Sequence, residues 1–226
     1  MTFKKLSSEK SINDGERSHF VAPHGQQDIF LEMSDGEIWK KFREDDESAF
    51  VHIYENYFSQ LFNYGHRFCQ NRESVKDHIQ DMFVDMRKNK SRLGDTTSIK
   101  FYLFSSLRRR IIRAESKNLF FANNSVNLDN YDFEVVISPE QNFINNQMNA
   151  RVKDILSKNL NLLSSRQKEA IMYYYYEGFS YVQVSKLMGF SKVKYARILV
   201  YRAVKKMKEN INVSEIIGLF IGSLFI

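Results

Sequence analysis

Two glycine breaks constrain this chain more than any other feature. They cut the stretch Leu163–Lys208, LSSRQKEAIMYYYYEGFSYVQVSKLMGFSKVKYARILVYRAVKKMK, at Glu177-Gly178 and at Gly189-Phe190. Ser180 and Ser191 follow the breaks. Serine suits an N-cap because its side-chain oxygen satisfies free N–H groups of the first helical turn. The pattern predicts a helix-turn-helix whose last helix starts at Ser191. In that helix Val193, Ala196, Val200, Ala203, Val204 and Met207 recur at helical intervals on one face. Lys194, Arg197, Ile198, Tyr201, Lys205 and Lys208 fall on the other. Alone, such a basic face reads as a solvated surface. Behind a turn-and-helix unit it points to duplex DNA, with cations on phosphates and a few side chains at base edges.

The net charge of +6 matters less than its distribution. Between Arg151 and Lys208 many lysines and arginines are opposed only by Asp154, Glu169 and Glu177. Between Asn118 and Ala150 there is no Lys or Arg, while Asp129, Asp132, Glu134 and Glu140 are present. Two basic modules joined by an acidic connector follow from this alternation. Only two prolines and nine glycines occur, which suits a mostly helical chain. Cys69 is the single cysteine, so no intrachain disulfide forms and a reducing, cytoplasmic setting is expected. No run of about 20 apolar residues is present, so no spanning helix is expected.

The expected fold class is all-α, with two helical modules joined by a flexible linker. Residues 1–33 read as a flexible N-terminal arm, 34–117 as the first module, 118–148 as the acidic linker, 149–210 as the second module and 211–226 as an apolar tail. In the first module Ser34-Asp35-Gly36 starts a helix carrying Ile38, Trp39 and Phe42. Asp45–Ser48 leads into a second, with Phe50, Ile53, Tyr54, Tyr57, Leu61, Tyr64 and Phe68 at intervals of three and four. Ser74 is the expected cap of a third, whose inner stripe is Val75, His78, Ile79, Met82, Phe83 and Met86. Lys90–Ser98 reads as a loop, and a fourth helix is expected over Ile99–Lys117. The linker holds a short ordered piece at Tyr131–Val136. Pro139 opens the next helix, marked by Phe143, Met148, Val152, Ile155 and Leu156.

Two exposed faces in the first module carry chemistry. Asp77, Gln80, Asp81 and Val84 lie opposite the third helix's apolar stripe; by themselves they read as a solvated polar face. The fourth helix sets Phe104, Leu107, Ile111 and Ala114 inward and Tyr102, Ser106, Arg109, Arg113 and Lys117 outward, with Arg108 and Arg110 on the flanks. One ring among cations suits unpaired nucleic acid, where bases stack and guanidinium groups hold phosphates; a solvated basic helix has the same composition.

Taken together, SAFVHIYENYFSQLFNYGHRF, RESVKDHIQDMFVDM and YLFSSLRRRI resemble region 2 of bacterial sigma factors of the extracytoplasmic-function group, and the helix-turn-helix stretch resembles their region 4. The segment Asp77-x-x-Gln80-Asp81-x-Phe83 makes the resemblance specific. It implies that Asp77, Gln80, Asp81 and Val84 dock on core RNA polymerase. It implies that the Lys90–Ser98 loop with Tyr102, Ser106, Arg108, Arg109 and Arg113 opens and holds the melted non-template strand of the downstream (−10) promoter element. Lys192, Lys194, Arg197, Ile198, Tyr201 and Lys205 would enter the upstream (−35) duplex, and Ser180, Tyr181, Gln183 and Ser191 would touch phosphates or cap helices nearby. The family commonly has Asn and Asp where Arg109 and Arg113 stand, and its recognition helix is one residue shorter between Ser191 and Arg202. A further implied partner is an anti-sigma factor, for which the tail at 211–226 offers a docking segment; the tail also reads as a closing helix or as a mask over the recognition helix.

No catalytic constellation, cofactor motif or metal-ligand spacing is present: His52, His66 and His78 lack ligand company, and His78 sits on an inner stripe. Neither an enzyme nor a small-molecule substrate is expected. A helix-turn-helix regulator with a sensing or dimerising first module, and a membrane-peripheral adaptor using the apolar tail, remain the alternatives.

Overall fold

The structure, a computed structural model, describes residues 27–123, 133–134 and 146–210. The arm before residue 27, most of the acidic linker, Pro139, Phe143 and the tail at 211–226 lie outside the described residues. Helices α1 (Gln27–Leu31), α2 (Asp35–Arg43), α3 (Glu47–Gly65), α4 (Arg72–Lys88) and α5 (Ile99–Asn123) form the first module. The second contains α6 (Asn146–Asn161), α7 (Ser165–Ile171), α8 (Tyr181–Leu187) and α9 (Val193–Asn210). No strand occurs among the described residues.

Capping chemistry sets most helix starts. Ser34 and Glu37 close a reciprocal box on α2, as Ser164 and Gln167 do on α7 and Ser180 and Gln183 on α8. Asp46 caps α3, its carboxylate accepting from the N–H groups of Ser48 at 2.9 Å and Ala49 at 3.2 Å. Two starts differ from expectation. Asn71, not Ser74, caps α4: its side-chain oxygen accepts from Glu73 N at 3.0 Å and Ser74 N at 3.2 Å, so the helix begins at Arg72. The last helix begins at Val193, which leaves Ser191 and Lys192 in the turn before it. Gly178 and Gly189 take φ of +73° and +68°, the left-handed conformation that a chain-reversing break requires and glycine adopts without strain. Helix α5 runs to Asn123, past the expected end at Lys117.

The predicted stripes are buried. Val75, Ile79, Met82, Phe83 and Met86 of α4 and Leu103, Phe104, Leu107 and Ile111 of α5 lie in the interior. His78 does not; it is half-buried at the edge of its stripe. Tyr54 lies at the surface, edge-on to the Phe83 ring at 5.0 Å.

One apolar core runs through both modules. Tyr64, Phe68 and Phe104 of the first cluster with Ala170, Met172, Tyr173, Phe179, Val184 and Val200 of the second. Phe133 of the linker seals the junction: fully buried, its ring meets Phe68 edge-on at 4.9 Å. Glu134 beside it donates its N–H to Arg67 O at 2.9 Å, and Gln70 Nε2 donates to its carboxylate at 3.0 Å. The ordered piece read at Tyr131–Val136 is therefore present at least at these two residues.

Candidate nucleic-acid interface

Helix α9 presents the basic face that its spacing predicts. Ala196, Val200 and Ala203 are buried against α7 and α8, while Lys194, Arg197, Ile198, Tyr201, Lys205 and Lys208 are exposed. Lys194 to Lys205 spans about 16 Å along the axis, the reach of roughly half a turn of duplex. Ser191 and Lys192 stand exposed where the helix would enter a groove. Arg197 does not wave free: its guanidinium lies 5.5 Å over the Tyr181 ring, and Tyr181 stacks on Tyr174 with centroids 4.2 Å apart. A cation above a two-ring stack keeps its N–H edges directed outward. Hydrogen bonding with Tyr174 and then burial push the Tyr181 phenol up to about 12, so it stays protonated and able to donate. Ser180 and Gln183 spend their polar atoms on each other, Gln183 Oε1 accepting from Ser180 N at 2.9 Å and from Ser180 Oγ at 3.0 Å. Their role in the described chain is to start α8.

The α5 face divides. Arg109 and Arg113 are exposed, and Ser106 lies half-buried beside them. Arg109 is steadied by Ser105 O at 3.2 Å and Ser106 Oγ at 3.4 Å. Tyr102 is half-buried, its ring 4.7 Å from that of Trp39. Trp39 also donates its indole N–H to Gly94 O at 2.9 Å, and Arg43 pairs with Asp95, so the Lys90–Ser98 loop is pinned beside Tyr102.

Arg108 points elsewhere. Its guanidinium forks onto the fully buried Glu169 carboxylate of α7, Nε donating at 2.5 Å and a terminal nitrogen at 3.2 Å. Burial works against its charge, but the Glu169 carboxylate outweighs burial and holds the guanidinium well above its ordinary value. Tyr173 donates to the same carboxylate at 2.6 Å. The sequence gives little sign of this site, since charged residues read as surface. The one available signal is the spacing of Glu169 and Tyr173, four apart and so on one side of a helix.

On α4, Asp77, Gln80, Asp81 and Val84 are all exposed. Arg110 of α5 reaches across to Asp81 at 3.5 Å and to Asp85. Next to Gln80 and Val84 opens a groove of about 840 Å³, floored by Phe50, Tyr54 and Phe83 and rimmed by Arg87, Lys88 and Lys90. That groove was not legible in the sequence, because its floor joins residues of two helices. Among the described residues no group of His, Cys, Asp or Glu could hold a metal ion, and no helix is long and apolar enough to cross a membrane.

Residues 153–207 match the family model of sigma-70, region 4. The second module is similar to sigma-70 region 4. Its two glycine breaks, the α8 cap and the α9 residues Lys194 to Lys205 all fall within the matched stretch. No curated protein sequence matches the chain. Among solved structures, CnrH in complex with the cytosolic domain of CnrY aligns with a TM-score of 0.50 at 16% identity, covering 77% of this chain and 95% of that one. The sigma factor RpoE in complex with the anti-sigma factor NepR, from Bartonella quintana, aligns with a TM-score of 0.50 at 21% identity, covering 71% of this chain and 94% of that one. Both alignments extend well beyond region 4, so the chain shares a two-module helical fold with these proteins.

Proposed function

We infer that the chain is a sigma factor: it binds core RNA polymerase and directs initiation at a dedicated set of promoters. The observation that carries this is a region 4 with an outward basic α9, behind a helical module in a fold shared with sigma factors. In this reading residues 34–117 act as region 2, 149–210 as region 4, and the segment between them as the connector. Asp77, Gln80, Asp81 and Val84 dock on core polymerase. Arg109, Arg113, Ser106 and the Tyr102 edge hold the melted non-template strand, with the pinned Lys90–Ser98 loop alongside. Unstacking a base costs a few kcal/mol, offset by stacking and by cations on the freed backbone. Lys192, Lys194, Arg197, Ile198, Tyr201 and Lys205 hold the upstream duplex. Each contact is weak alone; linked through the polymerase, they raise each other's effective concentration.

The chain itself is not an enzyme in this reading, since phosphoryl transfer belongs to the polymerase, and its place is the cytoplasm. An anti-sigma factor is proposed as a partner, by analogy with the RpoE neighbour. Transcription in vitro with core polymerase and a promoter library tests the function. Promoter-specific transcripts dependent on this chain are expected. An ordinary helix-turn-helix regulator would yield none with core enzyme alone, and that outcome would reject the sigma reading.

A further inference from the structure

The outward face of α9 is not uniformly charged. At its middle stand two large apolar side chains, Ile198 and Tyr201, 42% and 68% exposed. Nearby rings are engaged: Lys194 Nζ lies 5.3 Å over the Tyr195 ring, and the Tyr181 ring carries Arg197. Tyr201 makes no ring stack, cation contact or hydrogen bond among the described residues. Lone apolar residues at a surface are common and carry no message. These two are neighbours on one face, about 4.5 Å apart along the axis. Exposed cations bracket them, Lys194 and Arg197 on one side and Lys205 on the other.

A duplex presents the matching arrangement. Its major groove is walled by phosphates and floored by base edges. On that floor one base carries an apolar group, thymine with its C5 methyl. Guanine, cytosine and adenine offer hydrogen-bond donors and acceptors there. The Ile198 side chain has neither, so over those edges it only strips water from polar atoms. Over a methyl it takes apolar surface of both partners out of water. The spacing also fits. Base pairs rise about 3.4 Å apiece, so two side chains about 4.5 Å apart meet neighbouring pairs.

We propose that Ile198 and Tyr201 give α9 a sequence preference by packing on the thymine C5 methyl groups of neighbouring A·T pairs. The proposal rests on the reading of α9 as the helix that holds the upstream duplex, and it names the bases chosen there. Lys194 and Lys205 supply affinity without choice, since every sequence has the same phosphates. The apolar pair supplies choice with little affinity, because one buried methyl contributes about fourfold. The methyl can come from either strand, since both line the groove. Tyr201 acts through its ring, and its hydroxyl is not needed.

The test takes the upstream element from promoters that the transcription library returns and rebuilds it with deoxyuridine. Uracil pairs as thymine does and lacks only the methyl. Holoenzyme containing the full chain is expected to bind about fourfold less tightly when a contacted thymine becomes uracil. Ile198→Ala and Tyr201→Ala are each expected to bind the thymine and uracil forms alike at one position. Both side chains are exposed, so neither change disturbs the core. Tyr201→Phe keeps the ring and is expected to keep the preference; its loss would assign Tyr201 to a hydroxyl contact and overturn its part. Equal binding of thymine and uracil elements by the unaltered holoenzyme overturns the whole proposal. So does a full thymine preference kept by both alanine variants. A chain that supports no promoter-specific transcription strikes the sigma reading instead. The same exchange, made in duplexes that the chain alone selects from a random pool, then decides the proposal.

Discussion

Trp39 of α2 donates its indole N–H to the carbonyl of Gly94, 55 residues away, across 2.9 Å. The same ring packs on Tyr102 at 4.7 Å, so one residue ties the loop to the helix proposed to hold melted DNA. Trp39→Phe removes the donor, and water takes its place at the carbonyl of the exposed Gly94. A stability loss of about 0.5–1.5 kcal/mol is expected from the lost hydrogen bond. Amide exchange in Lys90–Ser98 is expected to quicken, and open-complex formation to slow more than closed-complex formation. Exchange rates and a fluorescent-base melting assay check this; an unaltered loop would show that the bond does not hold it.

Asp77 and Asp81 stand on the exposed side of α4, away from its core stripe. Asp77→Lys with Asp81→Lys is expected to weaken core polymerase binding more than tenfold while leaving the thermal midpoint within a few degrees. Asp81 also meets Arg110 at 3.5 Å, but that exposed pair contributes little to stability. Retained core binding would remove the docking assignment.

Tyr174 touches no DNA in the proposed arrangement; it supports Tyr181, which supports Arg197. Tyr174→Ala is expected to weaken holoenzyme binding to the upstream element about three- to tenfold, in line with an aromatic pair worth about 1 kcal/mol. Its salt dependence should not change, because no phosphate contact is lost. Arg197→Ala should weaken binding and also reduce the salt slope by about one if the guanidinium holds a phosphate. Binding titrations at several salt concentrations separate the two.

Gly65 closes α3 where α4 comes nearest. A Cβ there would lie 2.7 Å from Val75 Cγ1 and 3.3 Å from Ile111 Cδ1. Gly65→Ala is expected to destabilise by about 1–3 kcal/mol, the usual cost of overpacking. Denaturant unfolding measures it, and a neutral result would mean that the helices can move apart freely.

His52 lies against Phe30, ring centroids 4.6 Å apart, and burial holds its imidazole below the ordinary value of 6.5 despite the nearby Glu55 and Asp35 carboxylates. It is therefore neutral in the fold and takes up a proton more readily when unfolded. Its contribution to stability is complete above about pH 6.5 and is lost as pH falls through its folded value. His52→Gln should flatten the thermal midpoint between pH 7 and 5, roughly the range in which histidine titrates; an unchanged slope would assign that dependence to other groups.

Local chemistry was legible in the sequence. Ser34 and Ser180 announce helix starts because an N-cap acts only on the turn that follows it. The stripes of α4, α5 and α9 could be read because helical periodicity assigns each residue a face before any partner is known. At the start of α4 spacing pointed to Ser74, and the structure instead uses Asn71, whose side chain reaches two N–H groups.

What only the tertiary structure decided is which faces meet. Arg108 and Glu169 stand 61 residues apart, and each reads in isolation as a solvated charge. Burial becomes acceptable to either only when the other arrives with hydrogen-bond geometry, a condition no single helix contains. Tyr64 and Tyr173, 109 residues apart, obey the same rule. The sequence by itself determined two helical modules and the character of their basic faces. The fold determined that one of those arginines is turned inward, because a long-range pair is fixed by the meeting of two surfaces and not by the periodicity of either.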